Sequence, residues 1–345
     1  MPRSPPQPLP RPNPYHPDTQ SITHSAYTKC LDLETRHNQV AKSADVRLEV
    51  LICARFLGYM LLEAPTDNGR EDFAWEVFRC TTDIELQQLA QIYNDHLLRI
   101  FRRNKGCTPT PRSHPSVPSF DLQKDELKHL LVDTPNSHME AKTKALQRDG
   151  YRCVVSKRID YGAFMDDLIQ AKEGDMGTVT HLAHIFDRST NENLGDSDTS
   201  SYAASVHAVL LRFGQLRAIE ELDGPGLHRL ENVMTMDASV HLFFDNLEIW
   251  FERNENDPIH HYRLETVEPF LIAGLPRQIE FTTPDPDQLP LPDPRYLALH
   301  AACARVAHLS GAGEYIAKIL RDLPAVGVLA EDGGSDVLYH ALVRC

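Results

Sequence analysis

The sequence predicts an α+β fold, with a central block of short strands and helices flanked by helical N- and C-terminal blocks. Three observations carry this. Apolar residues recur at three- and four-residue spacing near both ends: Leu86, Leu89, Tyr93, Leu97 and Ile100 on one side, Leu297, His300, Ala301 and Ala304 on the other. That spacing puts each set on one helix face. Between them, capping and turn signals alternate with short apolar runs. Proline clusters mark the joints: Pro109 to Pro118 follows Gly106, and Pro284 to Pro294 precedes an Ala-rich stretch.

Taken in order, residues 1–20 read as a disordered Pro-rich tail, because eight of the first 17 residues are proline. Residues 21–106 read as a helical region. Its end is basic, with Arg99, Arg102, Arg103 and Lys105 before Gly106; these cations either complement a helix dipole or face a phosphate. Residues 107–136 form a linker. Residues 137–270 are the mixed block. Ser137 and Glu140 make a capping-box pattern that opens a helix through Arg148, and Asp149-Gly150 turns the chain into a short strand over Cys153-Val154-Val155. A second strand is expected over Val179 to Ile185, a helix over Tyr202 to Phe213, and a further helix entered from Glu231-Asn232-Val233-Met234 and running through Phe244. Strand-like pieces follow at Leu247 to Phe251 and Tyr262 to Leu264. Residues 271–345 read as linker and helix, with no chemistry of their own.

Composition narrows the classes. With 41% hydrophobic and 24% charged residues over 345, the chain can bury a core, which excludes whole-chain disorder. The longest apolar run, Val50 to Leu62, is broken by Arg55 and is short of the roughly 20 residues a bilayer span needs, so no membrane helix is expected. The N-terminus lacks the apolar core of a secretory signal. Seven widely spaced Cys without any C-x-x-C pair argue against a disulfide framework or a Cys-based zinc ribbon. The expectation is an intracellular protein, nucleus and cytoplasm undistinguished, since no strong Lys/Arg run is present. A formal charge of −14 argues against broad adhesion to nucleic acid.

One constellation could do chemistry: His184, Asn232, His241 and Asp245. His241 and Asp245 stand four residues apart on a helix face, close enough to share a cation. His184 ends an apolar strand, where an imidazole titrating near neutrality can take a proton from water. A base for water and a cation for developing charge are the parts of metal-assisted phosphodiester hydrolysis. Other residues read as structural: His181 as a packing or surface residue, His260-His261 and Asp166-Asp167 as solvated pairs, Cys153 as buried, and Trp250 and Phe251 as packing against the motif helix.

The segments RDGYRCVVSKR (Arg148 to Arg158), HLAHI (His181 to Ile185) and ENVMTMDASVHLFFD (Glu231 to Asp245) together resemble an HNH endonuclease domain. The closest likeness is the A-H-I variant found in many fungal proteins. His184 matches the first His, Asn232 the Asn and His241 the last His. The resemblance implies a ββα-metal (His-Me finger) fold and a metal-dependent endonuclease, a hydrolase acting on nucleic acid, DNA ahead of RNA. It implies His184 as general base, Asn232 as its orienter or a metal ligand through the amide oxygen, and His241 as metal ligand with Asp245 as partner. Ala183 stands where many members carry a ligating Asp, Glu or His. A sparse site of that kind favours Mg²⁺ or Mn²⁺ over Zn²⁺. Over residues 138–270 acids outnumber bases by ten, which keeps an alternative open: a catalytically inactive HNH fold serving as an interaction or regulatory module.

Overall fold

The computed structural model describes residues 6–38, 44–101, 113–115, 117–131, 139–187 and 197–313. Four helices open the chain: α1 (Ser21–Asn38), α2 (Ala44–Leu62), α3 (Asp67–Arg79) and α4 (Asp83–His96). Their starts follow from capping. The Thr66 hydroxyl accepts from the Gly69 N–H at 3.0 Å, and Thr82 and Glu85 cap α4 reciprocally. The expected stripe is buried at Leu86, Leu89 and Tyr93, but α4 stops at His96. Leu98–Phe101 continue as a 3₁₀ turn that keeps Ile100 and Phe101 inside.

The expected disordered tail is corrected over its described part, residues 6–20. Leu9 is 2% exposed. It lies against Gly58 of α2, where a Cβ would overlap its side chain. Proline removes backbone donors but leaves carbonyl acceptors. Here those are used: Tyr59 donates to the Pro8 carbonyl and Tyr27 to the Pro10 carbonyl, each at 3.0 Å. The Leu9 N–H donates to buried Glu34, which also pairs with Arg55 at 2.7 Å.

Within the expected linker 107–136 stands a helix, α5 (Pro118–Lys128), which buries Phe120 and Leu127 and packs on the later helix Ser197–Arg212. The mixed block begins with α6 (Met139–Arg148); its expected cap, Ser137, lies outside the described residues. Short β1 (Ile159–Asp160) pairs in parallel with β2 (Gly177–Thr178), with α7 (Tyr161–Met165) between them. Then follow β3 (Thr180–His184), α8 (Ser197–Arg212), α9 (Ala218–Glu221), 3₁₀ turns at Gly224–His228 and Leu230–Asn232, β4 (Val233–Asp237) and α10 (Ala238–Asp245). A three-stranded antiparallel sheet, β5 (Ile249–Glu252), β6 (His261–Thr266) and β7 (Gln278–Glu280), precedes α11 (Pro294–Ser310).

Two element assignments differ from the sequence reading. Cys153–Val155 is a turn, not a strand. The Lys157 N–H returns to the Cys153 carbonyl, the Ser156 N–H donates to the Cys153 sulfur, and Lys157 takes φ +60°. Val154 then donates to the Thr235 carbonyl at 2.8 Å, so the apolar triplet docks on β4 rather than extending a sheet. Val233–Asp237, expected as the approach to a helix, is a strand buried at all five positions. The helix waits for Asp237, whose carboxylate accepts from the Val240 N–H at 2.9 Å and sets the first turn of α10. The ββα unit is therefore β3, β4 and α10.

The blocks share one core. A single apolar cluster includes Leu9, Phe73, Val209, Met234, Phe251 and Ala312, and α11 packs on both α2 and β5. Buried Glu76 of α3 adds a polar tie: it accepts from Tyr93 at 2.7 Å and Arg212 at 2.6 Å and lies 3.2 Å from His114. Among the described residues no helix is long and apolar enough to cross a membrane.

Candidate active site

β3 and β4 pair antiparallel with His184 opposite Val233 and His181 opposite Met236. After Asp237 the chain reverses, so α10 returns along β3 and packs on both strands. This brings His241 beside His181, with their Nδ1 atoms 3.4 Å apart and their rings edge to face. One turn on, Asp245 Oδ2 lies 3.1 Å from His241 Nε2. His181, His184, Asp187, His241 and Asp245 line one cavity of about 230 Å³. Ile100 and Phe101 from the N-terminal block and His300 from α11 complete its wall.

His184 sits at the end of β3 with its Nε2 3.0 Å from Nδ1 of His228. Asn232 is fully buried and its amide is spent on the backbone. Its Oδ1 accepts from the Phe186 N–H at 2.9 Å, while Nδ2 donates to the carbonyls of Phe186 and Leu227 at 3.0 and 2.9 Å. Asn232 does not line the cavity. The expectation that it lends its oxygen to a metal is thus corrected: it pins the chain just after His184 to the turn that carries His228. Arg148, also buried, braces the same region by donating to the carbonyls of Leu230 and Val233 at 2.7 and 2.8 Å and pairing with Asp149.

Of the four site residues named from sequence, His184, His241 and Asp245 meet in the cavity and Asn232 stands behind it. The sequence reading missed His228, Asp187 and His300 and undervalued His181. His181 carried a faint signal, three residues before His184 on the same strand; the others carried none. His300 stacks on Phe244 at 3.8 Å and shares a hydrogen bond with its carbonyl at 3.2 Å. Burial pushes its pKa down to about 3, so it is a neutral wall. His260 and His261 stand apart from the cavity lining.

Among the described residues no group of three or more His, Cys, Asp or Glu side chains converges as a metal cage. The donor chemistry does fit a sparsely held cation. One imidazole nitrogen and one carboxylate oxygen, 3.1 Å apart, would suit a hard divalent ion that keeps most of its waters. Among the described residues that line the cavity there is no Lys or Arg. The basic run Arg102, Arg103 and Lys105, which follows Phe101 in sequence, lies outside the described residues.

The profile of the HNH endonuclease family matches residues 153–252, which span the turn at Cys153, β3, β4, α10 and β5. No curated protein and no solved structure matches the chain. HNH nucleases generally use a divalent metal, and HNH domains typically bind nucleic acid. With the strand pair and returning helix of the ββα unit inside the matched segment, the chain carries an HNH-family domain at residues 153–252.

Proposed function

We propose that this protein is a metal-dependent endonuclease that hydrolyses phosphodiester bonds, with DNA ahead of RNA as substrate and Mg²⁺ or Mn²⁺ ahead of Zn²⁺ as cation. The observation that carries the reading is the convergence of His184, His241 and Asp245 on one cavity between β3 and α10. What a bound divalent cation would supply is neutralisation of charge on the phosphate and on the departing oxygen. His241 and Asp245 would hold it, and their one nitrogen and one carboxylate suit a hard ion that keeps its waters better than they suit four-coordinate zinc. His184 takes the proton of a water as its oxygen adds to phosphorus, and the departing oxygen draws its proton from solvent. Asn232 keeps the backbone beyond His184 in place, and Phe101 and His300 shield one side of the cavity from bulk water.

A second reading has one observation in its favour. Among the described residues lining the cavity, Asp187 and Asp245 are the ones with a formal charge, and an acidic lining suits a module that keeps the fold without turnover. Plasmid and single-stranded DNA incubated with purified protein, with and without Mg²⁺ or Mn²⁺, separates the two. Cation-dependent strand breaks support the nuclease; none with either cation supports the module.

A further inference from the structure

β3 ends at His184 and the 3₁₀ turn Gly224–His228 ends at His228, so two elements 44 residues apart present their imidazoles to each other. The nitrogens stand 3.0 Å apart, with ring centroids at 5.2 Å and planes inclined by 67°. Two bare nitrogen lone pairs repel at that distance, so the contact is an N–H···N hydrogen bond containing one proton. Asn232 reinforces the pairing, because its amide bonds both Phe186, two residues after His184, and the carbonyl of Leu227, the residue before His228.

We propose that His228 is the positioning residue of His184: it accepts the Nε2–H of His184, fixes the ring and its tautomer, and leaves Nδ1 as the basic nitrogen. This rests on the reading of His184 as general base. As water adds to phosphorus its proton goes to Nδ1 of His184, and the imidazolium formed donates through Nε2–H to His228, a charge-assisted bond stronger than the neutral one before it. When Nδ1 returns that proton to solvent the pair is restored. A proton on His228 Nδ1 removes the acceptor, and a proton already on His184 Nδ1 leaves no nitrogen to take one from water, so either protonation stops the proposed step.

His228 also lines a second cleft of about 540 Å³, where it faces Glu140, Lys144, Arg229, Glu231 and Asp287. Lys144 pairs with Glu140 and Arg229 with Glu231, each at 2.7 Å, which largely cancels the charge around it. His184 lines the first cavity and not the second. The base is thus tuned from a cleft that substrate in the first cavity need not enter.

The test uses the full chain and two variants. His228→Leu fills the space and accepts nothing, whereas His228→Asn places an amide oxygen near the former Nδ1. We expect Leu to slow plasmid cleavage about 10²-fold or more and Asn to stay within about tenfold of wild type. The acid limb of the rate profile should fall with two protons in wild type and one in His228→Asn. Independent of activity, ¹⁵N spectra of the metal-free chain should give a through-hydrogen-bond nitrogen–nitrogen coupling between the two rings. Cleavage without that coupling, a His228→Leu variant cutting at the wild-type rate, or an unchanged acid limb in His228→Asn overturns the role of His228 alone. A coupled pair in a chain that cuts nothing with either cation overturns the nuclease reading, and the proposed role with it.

Discussion

The two ends of β3 are held differently. At its start, His181 and His241 meet on a half-open groove, and the His241 and Asp245 side chains are 18% and 20% exposed. At its end, His184 is tied to His228, and the buried Asn232 amide makes two hydrogen bonds to Phe186 beyond it and a third to the Leu227 carbonyl. The contrast matches what each job requires. A cation recruits its own ligands and rearranges waters, so its donors need only stand close. A general base must present one nitrogen to one water, so its ring and tautomer have to be fixed before substrate arrives. The firmly held end is the one that carries the proposed base.

The largest effect should come from breaking that end at its reacting atom. His184→Ala is expected to lower cleavage by about 10² to 10⁴-fold while the thermal transition stays near wild type, because the ring is only half-buried. Cleavage at the wild-type rate would remove His184 from the reaction. Next comes the amide behind it. Asn232→Ala leaves the Phe186 N–H and the carbonyls of Phe186 and Leu227 without their partner in a buried setting, a cost of about 3 kcal/mol or more. Urea unfolding should therefore separate the two variants: a shifted midpoint for Asn232→Ala and little shift for His184→Ala. Equal midpoints would mean that Asn232 is not the clamp described.

These differences mark the limit of what the chain tells in one dimension. His184, Asn232, His241 and Asp245 are legible because each lies in a short segment whose spacing survives folding. His228, Asp187 and His300 are not, because only tertiary structure brings the 3₁₀ turn that carries His228 against His184 and sets Asp187 and His300 on the cavity wall. The role of Asn232 was half legible: its position is given by the motif, its hydrogen-bond partners by tertiary structure alone. The stripe of α4 came through because that helix buries one face, and that of α11 because its residues belong to a helix buried on nearly all sides. The triplet Cys153–Val155 misled because a short apolar run fits a buried turn as well as a strand. The N-terminal prolines misled because composition counts missing donors and overlooks the carbonyls that Tyr27 and Tyr59 use.

The contrast extends to the histidines of the scaffold. Burial lowers His207 to about 4 and His300 to about 3, against an ordinary value of 6.5. Below pH 6.5 the unfolded chain takes up protons that these two rings in the folded chain refuse until their own lower values. Stability should therefore fall as pH drops from 6.5 towards 4, by up to about 1.4 kcal/mol per pH unit for each ring. His207→Leu, which cannot take a proton in either state, should remove about half of the slope due to the pair. A urea midpoint that is flat between pH 6.5 and 5 would contradict the burial argument for both.

The smallest effect is expected at the open end of β3. Asp245 is one of two donors for the proposed cation, and it also accepts from His241 if that ring carries its proton on Nε2. Removing it would take the one carboxylate from the pair of side chains proposed to hold the cation. The loss should appear as weaker cation binding rather than as unfolding, because the side chain is partly exposed and its partner His241 stands four residues away on the same helix. Asp245→Ala should raise the Mg²⁺ or Mn²⁺ concentration for half-maximal cleavage by about tenfold, the equivalent of roughly 1.4 kcal/mol, with the thermal transition within a few degrees of wild type. His181→Ala sharpens the same point from the strand side. If the imidazole pair at 3.4 Å contributes a second nitrogen, Mn²⁺ should weaken more than Mg²⁺, because imidazole suits the transition ion better. One zinc per chain that survives dialysis against chelator would contradict both variants' logic, since two or three half-open donors without a thiolate do not make a closed tetrahedral site.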